Sequence, residues 1–410
     1  MSDPTQASGL RRLVLLGPAF VAAVAYVDPG NVAANLTAGG QYRYRLVWVL
    51  VAASAIAVLV QYLSAKLGIV TGRTLSELTG ERIDTWRTGR VWRLVYGLQA
   101  LVVSMATDIA EVIGGALGLH LLFGLPVWVG SLLVGLVALV LLRWLRGGGE
   151  GVFEAGVTGV LLLIAAGFLG TLYWAPPHWP SVAAGLLPRL GGGSAEAALA
   201  GAMLGATVMP HAIYLHSNLA RDRHRPHGRL TRPVPQLLRI QQLDVWLSLL
   251  VAGGVNVAML LAGAAVLPQG AADAIVTAHR VIGERLGRVA AIVFGAGLLV
   301  SGVGSAVVGT HAGSGVWRDL LPWRVGHGVR RAVTVVPAVL LPLLGVDATE
   351  ALVVSQLVLS FGIAFALVPL VVLTGRSAVM GRWANHRALA ASAWLAVGVI
   401  VSLNLWLLWP

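Results

Sequence analysis

Cysteine is absent from the 410 residues. No disulfide and no thiolate metal site can exist, and the redox compartment cannot be read. Charge is nearly as scarce. Only 11% of the residues are Asp, Glu, Lys or Arg, against the roughly 25% typical of soluble domains. With 57% hydrophobic residues, most of the outer surface must face lipid, and apolar runs of about 20 residues read as membrane spans. Lysine is almost missing too: of the 29 basic residues only Lys66 is a lysine. The net charge of +12 would suggest nucleic acid in a soluble protein. Here the basic residues sit mostly in short loops between apolar runs, so a solvated loop near anionic lipid is the better reading of Arg221–Arg239, and no nucleic-acid partner is expected. No phosphate-cradling P-loop occurs, which leaves ATP-driven transport without support. The first apolar run, from about Leu13, is too long for a cleavable signal.

What is present is a series of apolar runs. They predict an all-α membrane protein of eleven spans, at 13–38, 46–68, 92–121, 126–143, 153–174, 195–219, 242–267, 287–316, 331–345, 349–373 and 387–408. With the N-terminus inside, the basic residues concentrate on the inner side. Only Arg43, Arg45, Arg189, Arg280, Arg285 and Arg288 fall outside, which predicts a cytoplasmic N-terminus and an external C-terminus. The outward group at 280–288 is the weak point of that count.

Spans one to five and six to ten can form two halves of opposite orientation, a plan in which discontinuous helices meet near the midplane. The chain then divides into a first repeat at 1–174, span six with its flanking loops at 175–240, the rest of the second repeat at 241–373, and an extra span at 374–410. The test of this division is a matched interruption. Span one carries DPGN at 28–31, and span six carries ATVMPH at 206–211 at a similar depth.

A helical proline gives no N–H to the carbonyl four residues earlier. For Pro29 that is Ala25, and for Pro210 it is Ala206. A bare carbonyl in hydrocarbon costs several kcal/mol and must find a donor or a cation. Asp28 adds a charge, Asn31 an amide oxygen and Met209 a thioether. Oxygen donors suit hard cations and a thioether softer ones, so the mixture points to Mn²⁺ or Fe²⁺ as cargo. Each residue also has a plainer role: methionine in a membrane helix is usually packing, and proline is often only a kink. Asp28 resists that reading, because a midplane carboxylate costs at least ~2.5 kcal/mol on insertion scales.

Asp108 and Glu111 in TDIAEVIGG share a helical face and raise each other's proton affinity; they read as a proton-holding pair or as a structural contact. His211 and His216 lie five residues apart, about 140° around a helix, so they cannot form a zinc pair of the HExxH kind. His211, beside the break, could tune the site, carry a proton or simply bond a neighbouring helix. Arg330 and Arg331 open span nine, either as ordinary anchors or as partners for the span-three carboxylates and a proton exit. Gln356 and Gln61 are candidate supporting groups, and Thr107 could bond only its own helix.

Together DPGN at 28–31, TDIAE at 107–111, MPH at 209–211 and SQLVLSFG at 355–362 make the chain resemble the Nramp divalent-metal transporters, and within them the bacterial MntH-type manganese transporters, over nearly its whole length. The resemblance implies the fold of sodium-coupled amino-acid transporters, two inverted five-helix repeats plus one helix. It implies a non-enzymatic, proton-coupled importer of Mn²⁺ and other divalent transition metals in a bacterial inner membrane, with no prosthetic group and a monomeric unit. By the same likeness Asp28, Asn31, Met209 and the carbonyls of Ala25 and Ala206 bind metal, with Gln356 joining in some states. Asp28, Asp108, Glu111, His211, His216, Arg330 and Arg331 are associated with proton movement. Many members carry an acid where this chain has Leu101, which implies weaker or rerouted coupling. Magnesium-carrying relatives lack the methionine. Two alternatives remain: a cation-coupled amino-acid symporter of the same fold, which Asp28 and Met209 oppose, and a membrane metalloenzyme, which the divergent histidines oppose.

Overall fold

The structure, a computed structural model, describes residues 26–145, 159, 166–189, 191, 193–271, 273–320 and 326–408. Among the described residues there are helices and no strands. The helices of ten residues or more are α1 (Pro29–Tyr42), α2 (Val47–Thr71), α3 (Leu75–Asp84), α4 (Gly89–Phe123) and α5 (Val127–Leu145). They continue with α6 (Ser194–Thr207), α7 (Pro210–His224), α8 (Val234–Val266) and α9 (Ala274–Leu286). The last four are α10 (Arg288–Leu320), α11 (His327–Leu343), α12 (Ala348–Gly375) and α13 (Arg387–Leu408).

Among the described residues, seven stretches are long and apolar enough to cross a membrane: α2, α4, α6 with α7, α8, Arg288–Val307 of α10, α12 and α13. Shorter apolar stretches occupy Val127–Leu141 and Val333–Leu343. All of them coincide with expected spans. The first span is described only from Tyr26 onward, and the fifth only at residue 159 and over 166–174. The rest of both lies outside the described residues, as does Ala25.

Several helices outrun their apolar runs. The seventh span was expected from 242, but α8 starts at Val234, with Pro233 as its N-cap. α7 continues through His224, so part of the expected basic loop is helical. Hydropathy marks where lipid begins, and a helix can begin earlier in water.

Two polar helices lay below the spanning criterion. In α3, Thr74 and Glu77 form a capping box, and the T-x-x-E pattern announces it. Arg73 holds the Glu81 carboxyl below its ordinary range, and Arg93 does the same for Asp84. In α9, Asp273 caps the N-terminus, and Ile275, Ala278 and Ile282 face inward. Arg280 lies 3.8 Å from Glu284 on its exposed side. Arg280 and Arg285 of the group at 280–288 thus belong to an amphipathic helix that carries a counter-charge of its own.

The distribution of polarity is that of a protein dissolved in lipid. Leu250, Leu395 and Val289 are largely exposed, while Asp28, Asn31, Asp108, Glu111, His211, His216 and Gln356 are buried. Close contact between helices comes from small residues. A Cβ on Gly302 of α10 would lie 2.4 Å from the Gly115 nitrogen of α4, so these two backbones touch directly.

Candidate functional site

Both interruptions are helix starts. Asp28 is the N-cap of α1, with Pro29 in its first turn, and Met209 is the N-cap of α7, with Pro210 in the same place. Proline suits that position because the first N–H groups of a helix have no intrahelical partner. α6 ends at Thr207, so span six is split by Val208 and Met209. The positive ends of α1 and α7 open onto the breaks, where the Asp28 carboxylate is well placed, and the negative C-terminus of α6 ends there.

One side chain ties the breaks together. The Asn31 Nδ2 donates to Asp28 Oδ1 at 2.8 Å and to the Ala206 carbonyl at 2.9 Å. The Asn31 backbone N–H also donates to Asp28 Oδ1, at 2.7 Å. The carbonyl that Pro210 leaves free is therefore satisfied by an amide from the other interrupted helix. The expected Asn31 oxygen faces elsewhere, because two acceptor oxygens that approach each other need a donor between them. Asn31 Oδ1 has no hydrogen-bond partner among the described residues. Half a turn about the last side-chain torsion would carry it to where the nitrogen lies.

α12 touches both breaks through Gln356, which is fully buried. Its carboxamide rests on Gly30, where a Cβ would lie 1.9 Å from Nε2. Its backbone carbonyl rests on Gly205, where a Cβ would lie 2.0 Å away. Neither carboxamide atom has a hydrogen-bond partner among the described residues. Pro29 packs in the same way on Gly114 of α4, where a Cβ would lie 2.0 Å from the proline ring.

On α4, Asp108 and Glu111 are both buried, and both make polar interactions. The Glu111 carboxylate lies against Gly309 of α10. Arg330 and Arg331 start α11, which packs on α4; their side chains lie outside the described residues. Among the described residues, Thr107 makes no side-chain bond to its own helix. Its hydroxyl lies 3.2 Å from His211 Nδ1 and links α4 to α7.

His216 belongs to a different network, as the 140° rotation requires. Its Nδ1 lies 2.7 Å from Gln61 Oε1, and its Nε2 lies 3.0 Å from Gln241 Nε2. An amide oxygen on one ring nitrogen and an amide N–H₂ on the other select the neutral imidazole protonated at Nδ1. Gln61 Nε2 then donates to the Tyr26 hydroxyl at 2.6 Å. Gln61 is thus separated from the first break by Tyr26. The Tyr26 and Val27 carbonyls accept from Asn256 Nδ2 at 3.0 Å and Ser301 Oγ at 2.7 Å. The sequence reading passed over Tyr26, Gln241, Asn256 and Ser301. The signal available was a buried amide within an apolar span, which names a residue but not its partner.

The family model described as Nramp, natural resistance-associated macrophage protein-like, matches residues 19–410. The chain belongs to the Nramp family. It is 48% identical over 414 residues to the divalent metal cation transporter MntH of Mycobacterium tuberculosis (strain CDC 1551 / Oshkosh), covering 100% of this chain and 94% of that one. Among solved structures, the Eremococcus coleocola manganese transporter superposes with a TM-score of 0.82 at 30% identity, over 99% of this chain and 87% of that one. The nucleobase-cation-symport-1 family transporter Mhp1 shares the fold, with a TM-score of 0.62 at 14% identity over 96% of this chain and 90% of that one. The all-helical fold of this Nramp chain is therefore one that it shares with other cation-coupled transporters.

Proposed function

We propose that this Nramp chain imports Mn²⁺, and Fe²⁺ with it, by alternating access across a bacterial inner membrane, with protons moving in the same direction. The observation that carries the reading is the junction of the breaks: Asn31 bonded at once to the Asp28 carboxylate and the Ala206 carbonyl. A carboxylate, an amide and a peptide oxygen from two interrupted helices form the donor set of a hard divalent ion. Met209, 1% exposed at the head of α7, adds the soft donor that disfavours Ca²⁺ and Mg²⁺. The relatives' names, a divalent metal cation transporter and a manganese transporter, agree with this cargo.

Asp28 is the charged anchor, Asn31 presents its oxygen after rotating, and Gln356 closes on the ion from α12. Ala25 supplies a further carbonyl. Protons released as metal binds Asp28 pass to Asp108, Glu111 and His211 and leave past Arg330 and Arg331. His216, held neutral between two amides, is a supporting member of that path. The N-terminus is cytoplasmic, the C-terminus external, and the monomer is the transport unit.

The test is Mn²⁺ uptake into proteoliposomes loaded with a metal-quenched dye, with and without a pH gradient. Asp28→Ala abolishes uptake, and Met209→Ala keeps part of the Mn²⁺ flux while admitting Ca²⁺. An inward acid gradient accelerates the wild type. Unchanged uptake in both variants would remove the site assignment, and indifference to the gradient would remove the coupling.

A further inference from the structure

A second feature stands apart from the two breaks. Between α2, α8 and α13 runs an open groove of about 1010 Å³. Its walls are apolar, with Ala55, Ile56 and Leu59 from α2 facing Leu395 and Val399 from α13. From Ala52 to Lys66, both on the groove, the helix rises ~21 Å. That is about half the ~40–45 Å thickness of a bilayer with its headgroups, so the groove has the depth of one leaflet.

One end of the groove is cationic. Lys66, the chain's only lysine, stands there with Arg382, and among the described residues no carboxylate lines the groove. Lys66 lines the groove at 5% exposure, and its Nζ donates to Asn385 Oδ1 at 2.9 Å. Asn385 is itself fixed, its N–H on the Thr374 carbonyl at 3.0 Å and its Nδ2 on Thr374 Oγ1 at 2.9 Å. An ammonium has three N–H donors, and this contact uses one. The Arg382 guanidinium lies 5.1 Å over the Trp383 ring, which pins a planar cation at the rim.

We propose that this groove holds an anionic phospholipid, with its phosphate on Lys66 and Arg382 and a hydrocarbon chain along α2 and α13. Charge complementarity selects this occupant over a second copy of the chain. A two-fold axis along the membrane normal would bring the same cationic end to the same depth on both partners. The proposal does not depend on what the protein carries.

Native mass spectrometry of the detergent-purified full chain tests it, with dioleoyl-phosphatidylglycerol, dioleoyl-phosphatidylcholine and soluble glycerol phosphate as probes. Phosphatidylglycerol should bind about fivefold tighter per cation engaged, the effect of one Lys or Arg on an anionic lipid. Arg382→Gln, at an exposed position, should lose about that factor, and Lys66→Gln a similar one, while Lys66→Arg retains the preference. Leu395→Trp should weaken both lipids by filling the apolar part. Arg229→Gln, in an exposed loop, should change nothing. Equal binding of the two lipids, or a preference untouched by Arg382→Gln and Lys66→Gln, overturns the proposal. Displacement of the lipid by equimolar glycerol phosphate assigns the site to a free anion. A dimer that excludes lipid assigns it to a second copy.

Discussion

The two breaks use one backbone device for two chemistries. At the first, Asp28 precedes Pro29 and caps α1. At the second, Met209 precedes Pro210 and caps α7. The first N-cap side chain is a carboxyl bonded to its own helix, and the second is a thioether with no such bond among the described residues. The glycines beside them differ as well. Gly30 meets the flexible end of the Gln356 side chain, whereas Gly205 meets the Gln356 carbonyl and the Ser360 nitrogen of the α12 backbone. The first break thus carries a carboxyl under a flexible side chain, and the second carries a thioether close to a stretch fixed against a rigid backbone. In the proposed function the first holds the charge and the second supplies the soft donor.

Exchanging the chemistry at the first N-cap should have the largest effect. Asp28→Asn keeps the shape and a capping oxygen but removes the charge, and Mn²⁺ uptake should fall ~100-fold or more, about 3 kcal/mol. Uptake within tenfold of wild type would place the charged anchor elsewhere. The glycines come next. Gly205→Ala should destabilise the protein by about 1–3 kcal/mol, the usual range for overpacking against an unyielding neighbour. Gly30→Ala should cost less, because Gln356 can swing aside, and its thermal unfolding should show a visibly smaller loss. Equal losses would mean that Gln356 is as fixed as the backbone. Met209→Ala should lower Mn²⁺ uptake about tenfold, near 1.4 kcal/mol, while Ca²⁺ uptake becomes measurable in the same vesicles. Retained discrimination would make Met209 a packing residue. The smallest effect belongs to Thr107→Val, which removes the hydroxyl facing His211 and should cost about 1 kcal/mol. A shift in the pH profile of uptake, beyond a lower melting temperature, would assign that contact to proton movement.

The comparison also explains what could be read from the residues alone. A carboxylate and two prolines inside apolar runs announce the breaks, because a charge and an unpaired backbone carbonyl are costly in lipid, whereas the methionine is marked only by its place before Pro210. The divergence of His211 and His216 follows from helical rotation. The membrane helices were legible for the same reason, since lipid contact imposes apolar length. Helices outside lipid escaped that signal. α9 announces itself through Asp273 and its inward apolar face, and α3 through its capping box, rather than through length. The direction of the Asn31 amide was not legible, because it depends on a carbonyl 175 residues away. Nor was the partner of Thr107, 104 residues distant. Such pairings are fixed by packing between helices, which periodicity within one helix does not encode.

The most direct test of the junction is a structure of the protein with Mn²⁺, its position read from anomalous scattering. The account predicts one peak at the meeting of α1 and α7, within the ~2.0–2.6 Å of oxygen-bound divalent ions from the Asp28 carboxylate, with Asn31, Met209 and the Ala206 carbonyl around it. A single peak in the network of His216, Gln61 and Gln241, with none at Asp28, would contradict it.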